Sequence, residues 1–178
     1  SWSCRLNRHN YQKVEKTFEG IAPTRVKILH QWADNHWNQM AFLAEQLTAC
    51  YPELPSSLLL DRLHAAPDFS EIFTIDIHGT VTQSTYSPHI NKSDLSSEAI
   101  KQGISSQFLH GPYIDKLTLE IGPSSSKFHD EVTLMFYHPL IIDGETVGAV
   151  CGRVPNDVLG DLIQRLSLLH ILRCRRAN

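Results

Sequence analysis

Tyr113 and Asp115 stand two apart in "HGPYID", with Ile114 between them. In an extended chain residues two apart share a face, so a phenol and a carboxylate point one way and the isoleucine the other. Such a pair can hold a small polar ligand, or it can be a strand end in which Asp115 caps a turn and Tyr113 joins the core. Tyr137, in "TLMFYHP", shares parity with Thr133 and Met135, opposite Leu134 and Phe136. Arg153 ends "GAVCGRV" with the parity of Cys151 and Ala149. A guanidinium gives paired, charge-assisted hydrogen bonds to a carboxylate, although an arginine ending a strand also snorkels to the surface. His129 and Asp130 follow a serine-rich loop. Tyr113, Asp115, His129, Asp130, Tyr137 and Arg153 are the candidate ligand-binding residues. A buried Arg153 needs an anionic partner. Asp115 or Asp130 would serve in the empty state, with a ligand carboxylate competing. Arg153→Ala should then abolish binding and leave the fold intact.

Other chemistry finds less support. Ten histidines prompt a search for metal ligands, but no HExxH occurs, and His30 and His36 are six apart, off a shared helical face. Cysteines at 4, 50, 151 and 174 form no CxxC. Cys151, in an apolar strand, reads as a buried free thiol, and Cys4 could meet Cys174 if the chain ends run side by side. No nucleophile elbow, phosphate loop or Cys/His motif is visible. The expectation is a protein that is not an enzyme and has no metal or cofactor. With 178 residues, a net charge of −3 and a basic cluster only at Arg173–Arg176, nucleic acid is not an expected partner.

The elements that must position these residues follow from periodicity. Val26, Leu29, Ala33, Trp37, Met40, Ala44 and Leu47 fall three and four apart, which makes one apolar face of a long helix from Pro23 to about Cys50. Trp32, His36 and Trp37 on it read as core. "SLLLDRLHAAP" is a short helix capped by Ser56 or Ser57. Near residue 70 the period changes to two. "EIFTIDI", a turn at "HG" and "TVTQSTY" make a hairpin. "LSSEAIKQGI" is a helix capped by Ser93 or Asp94. "KLTLEIG" is a strand candidate, "EVTLMFYHPLII" a strong strand, "DGE" a turn and "TVGAVCGRV" the last strand. "PNDVLGDLIQRLSLLHIL" is a closing helix. Five strands joined mostly by short connections imply an antiparallel α+β fold. The long helix covers one face, and the helical insert covers the other. Residues 1–22 are a helical lead-in, 23–154 one domain and 155–178 a helix and tail. The chain starts without methionine, as an excised piece would.

The long helix, the D-x-x-G hairpin at Asp76–Gly79, the Y-x-D at Tyr113–Asp115 and the "PLIIDGETVGAV" ending from Pro139 to Val150 together resemble a Cache domain. This is the PAS-like extracytoplasmic sensor module of bacterial chemoreceptors, the methyl-accepting chemotaxis proteins, and of sensor kinases. The resemblance covers residues 10–165. It implies a five-stranded antiparallel sheet and a small-molecule ligand held between the sheet and its insert. It also implies a periplasmic domain of a membrane-anchored parent, a homodimer through the N-terminal helix, and a signal carried by the terminal helices. In amino-acid-binding members the last strand ends in a motif like G-V-V-G-x-D, whose acid holds the ligand's amino group. Here Arg153 aligns with that acid, so the implied ligand is a carboxylate or another anion. The alternatives are an intracellular PAS or GAF-type sensor with a bound cofactor, and the sensor module of a histidine kinase or cyclase.

Overall fold

In the computed structural model, which describes residues 23–122 and 131–177, helix α1 (Pro23–Cys50) runs 28 residues, about 42 Å at 1.5 Å per residue. Leu29, Ala33, Trp37, Met40, Leu43 and Leu47 form its buried stripe. Helix α2 (Ser56–Ala65) follows, then strands β1 (Glu71–Asp76) and β2 (Val81–Ser84), a 3-10 turn (Ser87–His89), α3 (Ser97–Ser105), β3 (Phe108–Ile114), α4 (Lys116–Ile121), β4 (Val132–Ile142), β5 (Glu145–Pro155) and α5 (Asn156–Ala177).

The five strands form one antiparallel sheet in the order β2-β1-β5-β4-β3. The fold is α+β and PAS-like, as expected. In the first hairpin, the Asp76 carboxylate accepts the His78 and Thr80 amides. β4 and β5 turn at Asp143 and Gly144, both at positive φ, as a tight hairpin requires.

The sheet separates two cores. On one face α1 and the start of α5 bury Ile72, Leu109, Leu134, Phe136, Val150 and Val154. On the other, the segment between β2 and β3 covers Phe73, Ile75, Met135, Tyr137, Ala149 and Cys151, with Leu95, Ile100 and Ile104 packed against them. Alternation along each strand sends successive side chains to opposite cores. Both faces are thus covered, the long helix on one and the insert on the other.

Three local expectations change. "KLTLEI" is the helix α4, and the third strand is the preceding Phe108–Ile114. The alternation of Leu117, Leu119 and Ile121 reads as a strand, but Asp115 accepts the Leu117 amide at 3.0 Å and caps a helix there. α3 is capped by Ser96, whose hydroxyl accepts the Ala99 amide, not by Ser93 or Asp94. α2 starts after Pro55 without a side-chain cap. Trp32, His36 and Trp37 do face the α1 core, where His36 stacks on Phe136 at 5.3 Å.

Candidate functional site

β1, β5 and β4 each send a polar residue into the core beneath the insert: Glu71, Arg153 and Tyr137. Glu71 is the cross-strand partner of Arg153, and Arg153 that of Met135. Glu71 and Arg153 are both completely buried. The guanidinium donates from Nε to Glu71 Oε1 at 3.0 Å, and from Nη1 to Asp115 Oδ2 and to Thr118 Oγ1, each at 2.7 Å. Thr118 in turn meets the Thr133 hydroxyl at 2.6 Å. Burial alone would lower the Arg153 pKa, but Glu71 and Asp115 outweigh it and raise it, so the side chain stays charged.

The second carboxylate oxygen of Glu71 takes the Ser84 hydroxyl and His89 Nδ1, the latter at 2.6 Å. His89 Nε2 reaches Asp94 at 2.9 and 3.1 Å. Its ring is buried, with Phe73 against it at 4.9 Å between centroids. Carboxylates accept, so both ring nitrogens donate and the ring is an imidazolium. Burial disfavours that charge, yet the bonds to Asp94 and Glu71 prevail and lift the His89 pKa to about 9. The same bond to His89 lowers the Asp94 pKa. Two cations are thus held among three carboxylates, Glu71, Asp94 and Asp115.

Three polar atoms on this face have no partner among the described residues: Arg153 Nη2, the Tyr113 hydroxyl and the Tyr137 hydroxyl. They come from β5, β3 and β4, adjacent strands. Burial raises both phenol pKa values, and the Arg153 charge pulls each partly back, so both stay protonated and able to donate. Gly103 of α3 sits directly on the Tyr137 ring, where a Cβ would overlap it. Tyr113 stacks on His110 with centroids 4.2 Å apart. It is placed by Gly111 at φ +123°, where the register with β4 shifts and a Cβ would meet the Thr133 carbonyl. Unpaired buried donors are uncommon, because each forfeits its hydration.

Of the sequence candidates, Tyr113, Asp115, Tyr137 and Arg153 are brought to one face of the sheet. His129 and Asp130 lie outside the described residues, as do Cys4 and any pairing it makes. Asp115, one of the two carboxylates expected to pair with Arg153, does so through Oδ2, while its Oδ1 caps α4. The turn-cap reading of "GPYID" is thus observed in Asp115, beside its ion pair with Arg153. Glu71, Ser84, His89, Asp94 and Thr118 were missed. For Glu71 a signal exists: it is an acid with the parity of Phe73 and Ile75 in an otherwise apolar face. Cys151 is a free, buried thiol, as expected. Arg153 does not snorkel, and its partners make it structural as well as a candidate for binding. The expectation that Arg153→Ala leaves the fold intact is therefore withdrawn, since it would strand a buried Glu71.

Among the described residues, a cavity of about 190 Å³ lies beside His36 and Asp68 and another of about 400 Å³ beside Tyr51, Thr74 and Gln83.

No protein-family model and no curated protein matches the chain. Solved structures do. An extracellular ligand-binding receptor from Desulfohalobium retbaense is similar with a TM-score of 0.60 and 19% identity, over 90% of this chain and 26% of that one. The sensory domain of the Campylobacter jejuni chemoreceptor Tlp3, solved with isoleucine bound, gives 0.56 and 11%, over 91% and 64%. The ligand-binding domain of the Pseudomonas aeruginosa amino-acid chemoreceptor PctB, in complex with L-Arg, gives 0.51 and 19%, over 75% and 53%. The chain spans less than two thirds of each of these solved chains. At these identities the likeness is one of fold, shared with ligand-binding domains of chemoreceptors.

Proposed function

We propose that this chain is an extracytoplasmic sensor domain that binds a small carboxylate or another small anion on the insert-covered face of its sheet. The observation that carries the reading is the set of three buried donors without partners, Arg153 Nη2 and the Tyr113 and Tyr137 hydroxyls. All three suit a ligand oxygen. A carboxylate there would accept one charge-assisted and two neutral hydrogen bonds. It need not displace Asp115 from Arg153, because Nη2 is separate from the Nη1 that Asp115 uses. His129 and Asp130, which lie outside the described residues, are proposed as further ligand-binding residues. The fold shared with chemoreceptor ligand-binding domains supports the sensor role.

The signal is proposed to leave through the terminal helices. Arg153 lies three residues before Asn156, where α5 begins. α5 is tied to α1 by the Arg25 guanidinium donating to the Ser167 hydroxyl at 3.0 Å. A ligand that prefers one packing of β5 shifts the population of α5 positions. The parent protein is proposed to be membrane-anchored outside this chain, with two copies paired through α1. No helix among the described residues is itself long and apolar enough to cross a membrane.

The test is a thermal-shift screen of carboxylates, amines and uncharged metabolites, followed by calorimetry. A ligand selective for the folded state raises the melting temperature. Stabilisation by carboxylates that disappears in a Tyr113→Phe, Tyr137→Phe double variant is the expected result. A best ligand that is uncharged or purely cationic overturns the anion reading.

A further inference from the structure

Glu71 holds Arg153 from one side, and His89 holds Glu71 from the other. His89 stands on the 3-10 turn after β2, within the insert, so its ring is the bolt between insert and sheet: Nδ1 to Glu71 on β1, Nε2 to Asp94 before α3. The charged groups around it are Glu71 from β1, Asp94 from the insert, Arg153 from β5 and Asp115 from the cap of α4, with the uncharged Ser84 of β2 sharing the Glu71 oxygen. A neutral imidazole has one N–H and could satisfy only one of its two carboxylates. Loss of the proton would also leave Arg153 as the one cation among three carboxylates.

We propose that His89 is a positioning residue whose protonated ring fixes Glu71, and through it the Arg153 guanidinium, so that anion binding by the Arg153 site is coupled to protonation of His89. The coupling rests on the anion reading of the site. The positioning does not, since it concerns contacts within the chain. The ring holds its proton to about pH 9 because its bonds to Asp94 and Glu71 outweigh burial. In neutral medium the bolt is closed, and it opens on the alkaline side. Anion affinity falls as the proton leaves, because the local charge becomes more negative.

The guanidinium of Arg153 reports on this directly by isotope-edited NMR of the whole chain. In the wild type its signal should change as pH rises from about 7 to about 10, and in His89→Gln it should already resemble the high-pH form and stay flat across that range. A purely structural role for His89 would lower the melting temperature and leave the pH response of Arg153 in place. That response surviving in His89→Gln overturns the proposal, and so does a wild-type signal with no pH response. Should His89→Gln fail to fold, His89→Asn and the wild-type titration decide in the same way. Acetate serves as the carboxylate probe for the coupling. It should bind His89→Gln about tenfold more weakly than wild type near pH 7, with the two converging near pH 10. Equal acetate affinity in both proteins overturns the coupling. Acetate failing to perturb Arg153 in the wild type overturns the anion reading of the site and the coupling built on it, while the pH response of Arg153 still decides the positioning.

Discussion

Glu71 and Arg153 are cross-strand partners in the β1–β5 ladder, joined from Nε to Oε1 at 3.0 Å, and neither has any solvent exposure. The pair ties the middle of the sheet to the insert. A buried ion pair is costly to break from one side, because the remaining charge is left without water or partner. Arg153→Ala should therefore lose about 3–5 kcal/mol in urea unfolding. A Glu71→Leu, Arg153→Met double variant should recover much of that loss and still fail to bind an anion. A single Arg153→Ala variant as stable as wild type would show the pair to be dispensable.

Tyr137 offers the opposite signature. Its hydroxyl is buried without a partner among the described residues, so deleting it should not destabilise the empty protein. Tyr137→Phe is expected to be neutral or stabilising by up to about 1 kcal/mol. The same change should weaken carboxylate binding about tenfold, the order of one lost hydrogen bond. Unfolding and calorimetry on one variant separate the two effects. A loss of stability without loss of binding would place the hydroxyl in the fold and not in the site.

Gly103 bears on the same ring. A Cβ at this position would overlap Tyr137 Cβ, Cγ and Cδ1. Gly103→Ala must push α3 or the ring away, at a cost of about 1–3 kcal/mol for an overpacked core. Helix propensity works the other way, since alanine favours a helix by about 1 kcal/mol over glycine. The net expectation is a lower melting temperature together with weaker ligand binding. A raised melting temperature would mean that propensity wins and the contact yields freely.

His89 and Asp94 set a pH dependence whose sign follows from their shifts. His89 has a folded pKa of about 9, above its ordinary 6.5. Its contribution is complete below about pH 6.5 and is lost as pH rises through about 9. Asp94 is shifted downward from 3.8. Its contribution is present above that value and disappears as pH falls below it. Unfolding free energies measured across pH should fall on both sides, and His89→Gln should flatten the alkaline side. An alkaline slope unchanged in that variant would assign it to another group.

Cys50 and Cys151 should differ in reactivity. Cys50 is exposed, while Cys151 is buried and its pKa is pushed well up by burial. Thiolate is the reactive form, so a disulfide reagent should label Cys50 in the native protein and Cys151 only after unfolding. Peptide mapping of the labelled sites checks this, and native labelling at Cys151 would reveal local opening of β5.

Much of the frame was legible in the chain because short-range periodicity carries it. The three-four spacing from Leu29 to Leu47 dictated an amphipathic helix, and alternation in β4 and β5 put Tyr137, Cys151 and Arg153 on common faces. The Asp143-Gly144 pair marked the turn between those strands by its tolerance of positive φ. What the tertiary structure decided is where the charges go. Glu71 is 82 residues from Arg153, Asp115 is 38 and Thr118 is 35, and no local pattern pairs residues at such separations. The helix at "KLTLEI" belongs to the same class. Its apolar alternation favours a strand, but Asp115 caps it locally, and its Thr118 meets Arg153 and Thr133, contacts that exist only once β5 and β4 lie beside it. His89 carried no local signal at all, since its role depends on two carboxylates brought to either side of one ring. Local spacing determines which face a residue takes, and only the packed sheet and insert determine which charge it meets there.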